Sequence, residues 1–227
     1  MLFDLRGGHR RRAVKITYVA LALLMGGGLV LFGVGGAVSG GLVDAITSGG
    51  GGGGDTTKRL EQTEQSLTRR ARANPTEAAA WAAVARARFN LANAGDNLNQ
   101  STGAYSADGQ RMLRLAGDAW ERHVQLAKQP DDRVASLMVQ AYSVLGDGVK
   151  ATRAQEVIAQ ARDSAGAYAQ LALLAYQAGQ TRTGDLARRK ALALTPKDMR
   201  ENLKGQLDAA RSSAPAATGS SGSSSGN

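Results

Sequence analysis

From Gly166 to Asp198, apolar residues recur at helical spacing in two short bursts. Tyr168, Leu171, Ala172 and Ala175 fall at i, i+3, i+4 and i+7, which is one face of a 3.6-residue period. Gly179 follows; lacking a Cβ, it can take positive φ and stop the helix. Leu186, Ala187, Lys190, Ala191 and Leu194 then share a second stripe, ended by Thr195-Pro196. The pattern predicts a helical hairpin too small to bury its apolar face alone. It needs neighbours of the same kind.

The chain supplies them. Asp55-Thr56-Thr57 can cap a helix that runs to about Ala73, with Leu60, Leu67 and Ala71 on one face and Glu64 interrupting it. Asn74-Pro75-Thr76-Glu77 reads as a cap, a first-turn proline and a carboxylate three residues on. The helix after it places Trp81, Val84, Ala85 and Arg88/Phe89 on one side. An irregular stretch, 94–108, follows; Asp108 can cap the next helix, striped by Leu113, Ala116, Trp120, Val124 and Ala127. Ala135, Met138, Val139 and Tyr142 form another stripe, then Ala154, Ile158 and Ala161. A last helix, carrying Met199, Leu203, Leu207 and Ala210, can cover an open end.

Outside this array, 55–211, the pattern changes. Residues 1–15 are short and basic, with Arg6, Arg10, Arg11, Arg12 and Lys15 against Asp4. From Ile16 to Val43 no residue is charged. About 20 apolar residues suffice to cross a bilayer core, so 16–43 is expected to hold a single membrane span, best placed from Ile16 to about Gly36. By the positive-inside rule the N-terminus is then cytoplasmic and the helical region extracytoplasmic. The rival reading is a cleaved signal peptide, with Ala37-Val38-Ser39 as a passable small-residue site. An h-region of 7–15 residues is shorter than this run, which favours the anchor. Residues 44–54 read as a Gly-rich flexible linker, and 212–227, rich in Ser, Gly and Ala, as a disordered tail.

The net charge of +9 does not indicate nucleic acid, because its densest cluster abuts the apolar run and the rest is mixed surface. With no cysteine, thiol catalysis, disulfides and zinc–thiolate sites are excluded. His9 and His123 are separate, and His123 is expected as a partly exposed helical histidine rather than a metal ligand. Gly146-Asp147-Gly148-Val149-Lys150 has no Gly-Lys-Ser/Thr after a strand, so it is an inter-helix turn. In Asp96 to Gly103, Leu98 falls where a calcium loop needs an oxygen. Gly222 to Gly226 matches G-x-S-x-G only within the low-complexity tail. No cofactor, metal or catalytic group is expected, and an enzyme using the 94–108 loop is the weakest of the readings.

The helix pairs resemble tetratricopeptide repeats. At 166–198 the match rests on Tyr168, Leu171 and Ala172, on Gly179 near the turn, and on Ala191-Leu192 with Pro196 closing the second helix. Trp81, Val84 and Ala85 repeat the opening, as do Ala135, Met138 and Val139 with Tyr142 and Gly146. Ala135 and Tyr168 lie 33 positions apart, close to the family period of about 34. The step of 54 from Trp81 to Ala135 implies about 20 extra residues in the first unit. Arg88 and Arg188 stand where the family usually has aromatics, and the middle unit lacks the closing proline.

The resemblance implies an all-α helical-hairpin solenoid whose first helices line a groove for a protein or peptide segment. The positions carried over are Arg86, Phe89 and Asn90; Arg133, Gln140 and Ser143; Leu173, Tyr176 and Gln177. Ala79 and Ala82 stand where a carboxylate clamp would want Lys or Asn. The expected role is a membrane-anchored scaffold for protein–protein contact, accessory to secretion or envelope protein folding. The alternative is an assembly factor for an envelope enzyme complex of the cytochrome-maturation kind.

Overall fold

The computed structural model describes residues 53–215. The expected span at 16–43 and residues 216–227 of the expected tail lie outside the described residues; within 212–215 the tail instead continues the fold, Ser212 ending the last helix and Ala214 packing against the core. The described chain is all-helical: α1 (Gly53–Ala73), α2 (Ala78–Ala92), α3 (Ala107–Leu126), α4 (Asp132–Val144), α5 (Gly148–Arg162), α6 (Ala165–Gln177), α7 (Thr181–Leu194) and α8 (Arg200–Ser212). Short 3-10 turns lie at Gly95–Asn97 and Lys197–Met199. None of these helices is long and apolar enough to cross a membrane.

Each helix packs against its chain neighbours, and the side-chain contacts fix the direction of every step. Arg70 near the end of α1 pairs with Glu77 at the start of α2, while Glu64 further back pairs with Arg88 further on. His123 late in α3 meets Ala78, the first residue of α2. Tyr142 of α4 reaches back to Gly117 of α3. Arg162 at the end of α5 bonds Asp132 and Ser136 at the start of α4. Gly148 opens α5 beside Ala178, which closes α6. Tyr176 late in α6 bonds Asp185 early in α7, and Asp185 in turn pairs with Arg211 near the end of α8. Neighbouring helices therefore run antiparallel throughout.

One turn occurs twice. Gly146 (φ 72°) and Gly179 (φ 70°), 33 positions apart, sit in the left-handed region. In both, the next N–H reaches back to the carbonyl five residues earlier: Asp147 to Tyr142 (2.9 Å) and Gln180 to Ala175 (2.8 Å). This is the Schellman closure of a helix C-terminus. Asp147 then caps α5 by accepting from the N–H of Lys150. The same spacing separates the starts of α4 and α6, and of α5 and α7. The hairpin of α2 and α3 departs from it. There the chain inserts an ordered loop, closed by a bridge between Leu98 and Tyr105. The Asn99 side chain accepts from the N–H groups of Ser101 and Thr102, and Tyr105 donates to Asn93 (2.6 Å).

Helix starts differ from expectation in α1, α2 and α3. α1 begins at Gly53, inside the expected 44–54 linker and ahead of Asp55-Thr56-Thr57. α2 begins at Ala78, not at Pro75; Asn74 to Glu77 forms a turn in which Glu77 N–H donates to Asn74 O and Trp81 Nε1–H to Pro75 O. Ser106, not Asp108, caps α3 by accepting from Gly109 N–H. Asp131 caps α4 as a carboxylate should, accepting from Arg133 and Val134 N–H.

The core forms two clusters. The first runs from Ala71 through Val84, Leu113, Trp120, Val134, Met138 and Tyr142 to Ile158; the second gathers Leu171, Ala172, Tyr176, Ala187, Ala191 and Leu207. Alanine dominates both, so helices approach closely and the few rings need room. Gly117 supplies it for Tyr142 and Gly184 for Tyr176: a Cβ at either would collide with ring atoms. This sets the rotation of α7. Its buried face is Gly184, Ala187 and Ala191, so Leu186 (52 % exposed) and Leu194 (38 %) turn outward instead of joining the core stripe. Val124, read as part of the α3 stripe, is also exposed, and Met199 precedes α8 in an exposed turn.

Burial pushes the phenol of Tyr176 up to about 12, and the hydrogen bond and charge of Asp185 add to it. Burial raises Tyr142 further, with Glu121, Asp118 and Asp147 contributing. A group raised in the folded state contributes stability below its unfolded value, lost as pH climbs through the folded one. In an alkaline titration the Tyr142 and Tyr176 phenolates should therefore appear only as the helical circular dichroism collapses. Ionisation of all tyrosines near the ordinary value of about 10 with helicity intact would contradict this packing.

Candidate protein-binding surfaces

The first helices of the successive hairpins are α2, α4 and α6. The structure exposes six of the nine expected groove residues, leaves one half-buried against the core and buries two. Arg86 and Asn90 are exposed on α2, Arg133, Gln140 and Ser143 on α4, and Gln177 on α6; Leu173 is half-buried there. Phe89 (8 % exposed) and Tyr176 (0 %) are core residues and line no groove. Each falls on the inward side of its helix. Phe89 lies in the first cluster, and Tyr176 sits over Gly184 with its hydroxyl on Asp185 (2.9 Å).

The outer strip of these three helices carries little charge. On α2, α4 and α6 the charged residues are Arg86, Arg88, Asp132 and Arg133, and α6 has none. Arg88 turns away to α1, and Asp132 is held by Arg162. Arg86 lies 3.5 Å from Asp131, the cap of α4, which ties the strip of α2 to that of α4. Arg133 makes no ion pair among the described residues. What remains is amide, hydroxyl and short aliphatic groups. Such a strip can hydrogen-bond a peptide backbone and cover apolar side chains, with two guanidinium groups at one end.

His123 supports that end. It is 4 % exposed, not the partly exposed histidine expected. Its Nδ1–H donates to Ala78 O (2.9 Å), and its Nε2 accepts Asp131 N–H (3.0 Å). Both partners are backbone groups of fixed polarity, so the ring proton sits on Nδ1. Trp120 lies beside the ring, 5.3 Å between centroids. The histidine thus joins α2 and α3 to the cap of α4. It belongs to no metal cluster, since no group of three or more His, Cys, Asp or Glu ligands occurs among the described residues.

The second helices, α3 and α5, enclose a cleft of ≈ 340 Å³ over Trp120 and Tyr142, walled by Val124 and Val157. Lys150 bridges it to Glu121 (2.7 Å) and stands 5.7 Å from the Tyr142 ring. Sequence reasoning missed the cleft. Its charged members, Glu121 on one side and Lys150 and Arg153 on the other, are 29 or more positions apart on separate helices, and the periodicity assigns Val124 to the core stripe.

No protein-family model, no curated protein and no solved structure matches this chain.

Proposed function

We propose that the protein is a membrane-tethered helical-repeat scaffold that holds a segment of another protein along α2, α4 and α6, on the extracytoplasmic side. The observation that carries this reading is the exposed strip on three successive first helices, where Arg86 and Arg133 are the only exposed charged residues. A surface helix is ordinarily rich in charge on its outer side; α3 and α7 are, whereas α6 has no charged residue at all. The tetratricopeptide-like spacing supports the reading, as does the recurrence of the α4–α5 turn at α6–α7. The uncharged run at 16–43 and the glycines after it supply the tether. A strip of amides and small side chains suits an extended or helical segment of low charge.

The test places a photocrosslinking residue at Gln140 or Gln177, both exposed, in cells expressing the chain at its natural level. Both sites should trap the same protein, and Gln125 on α3 should not. Trapping from Gln125 alone, or nothing from Gln140 and Gln177, would remove the reading.

A further inference from the structure

The opposite side of the helix array has its own chemistry. Ion pairs bind its three helices edge to edge: Glu121 of α3 to Lys150 of α5, and Asp163, which closes α5, to Lys190 of α7 (3.2 Å). Of the exposed large apolar side chains, Val124, Val149, Leu186 and Leu194 stand on these helices, whereas α2, α4 and α6 expose only Val144. Between them rise Arg114 on α3, Arg153 on α5, and Arg182 and Arg189 on α7. All four are exposed and make no ion pair among the described residues. The carboxylates offset them only in part: Glu121 and Asp163 are already paired, the half-buried Glu156 acts on Arg153 alone of the four, and Asp118 stays exposed without a cation. On α7 the outer stripe reads Arg182, Leu186, Arg189, Ala193, with basic groups flanking a leucine at one-turn spacing.

We propose that the face formed by α3, α5 and α7 rests on an anionic lipid surface. The valines and leucines would enter the headgroup region while the guanidinium groups pair with lipid phosphates. Arginine suits this place because its stem lies along apolar surface while its head stays at phosphate level. The inference rests on the tether reading above. Nine residues, 44–52, separate the expected span from α1. Fully extended they reach about 30 Å, so the bilayer is the partner at highest effective concentration. A face turned to the lipid also leaves α2, α4 and α6 free for a protein segment. An acidic protein is the competing occupant, and the test separates it.

The chain has no cysteine, so Ala193→Cys and Gln140→Cys variants of the full-length protein each take one dye. Each is reconstituted into phosphatidylcholine vesicles with or without phosphatidylglycerol, doped with a headgroup-level spin-labelled lipid. Most of the emission at position 193 should be lost in the anionic vesicles and kept in the neutral ones. Position 140 should be unaffected in both. Arg153→Glu, Arg182→Glu and Arg189→Glu together should abolish the loss, and the corresponding lysine variants should retain it. Equal quenching at both positions, quenching that ignores phosphatidylglycerol, or none at 193 would overturn the proposal. So would a dye at 193 shielded only when an acidic protein is added. Retention of the chain in neutral vesicles after alkaline carbonate extraction reports the span by itself. Failure there overturns the tether and this inference together, while retention without quenching overturns the inference alone.

Discussion

Replacing Arg88 with methionine should lower unfolding stability by about 3 kcal/mol, and replacing Glu64 with leucine in the same chain should restore most of it. Arg88 lies where α1, α2 and α3 meet. Its Nε–H donates to Glu64 Oε1 at 2.8 Å, and its other nitrogens reach Leu115 O (3.0 Å) and Thr68 Oγ1 (3.4 Å). Thr68 itself donates to Glu64 (2.8 Å). The two charged side chains are only 13 % and 16 % exposed. Methionine would fill the space of the arginine stem but strand a largely buried carboxylate and a carbonyl. That desolvation, rather than the attraction lost, is the larger cost. With Glu64 also apolar, no buried charge is left without a partner. Denaturant unfolding followed by circular dichroism decides the matter. A single-variant loss no larger than that of exposed Arg114→Met, roughly 0.5 kcal/mol or less, would show that the network carries no stability.

Gly184→Ala should destabilise by about 2 kcal/mol, although alanine is the better helix former by about 1 kcal/mol. The added methyl would enter space held by Cδ1 and Cε1 of Tyr176. The ring cannot step aside, being fully buried with its hydroxyl fixed on Asp185. The sign should reverse when the ring is gone. Tyr176→Ala alone costs about 3–5 kcal/mol as a large-to-small core change, and in that background Gly184→Ala should add about 1 kcal/mol of stability through propensity. A double-mutant cycle with no coupling between the two positions would mean that they do not touch.

Those two sites also mark where reading the chain succeeded and where it did not. Periodicity located the helices, because each hairpin carries its own apolar stripe and its own stop. Gly179 was legible as a positive-φ stop and proved to be one. The facing of α7 was not legible. Leu186 and Leu194 outrank Ala187 and Gly184 on any hydrophobicity scale, yet the small residues face inward because a ring from α6 needs the room. Phe89 and Tyr176 were drawn outward for a related reason: transferring positions from a repeat pattern ignores which neighbour each ring meets. Glu64 looked like a break in the stripe of α1, since its partner lies 24 residues on. His123 gave no hint of burial, because its two partners are backbone groups on other elements. Of the nine positions expected on the outer strip of α2, α4 and α6, six are exposed. Exposed polar positions follow from the same period that marks the buried ones.

Arg88 and Arg188 stand at the two extremities of the array, one meeting Glu64 of α1 and the other Asp208 of α8. Duplicating an internal hairpin and appending it past α7 would displace α8. Arg188, whose Nε already lacks a partner, would then lose its carboxylate too. The same holds at α1. A hairpin copied into either junction would therefore leave an arginine there without its carboxylate unless the incoming helix supplied one.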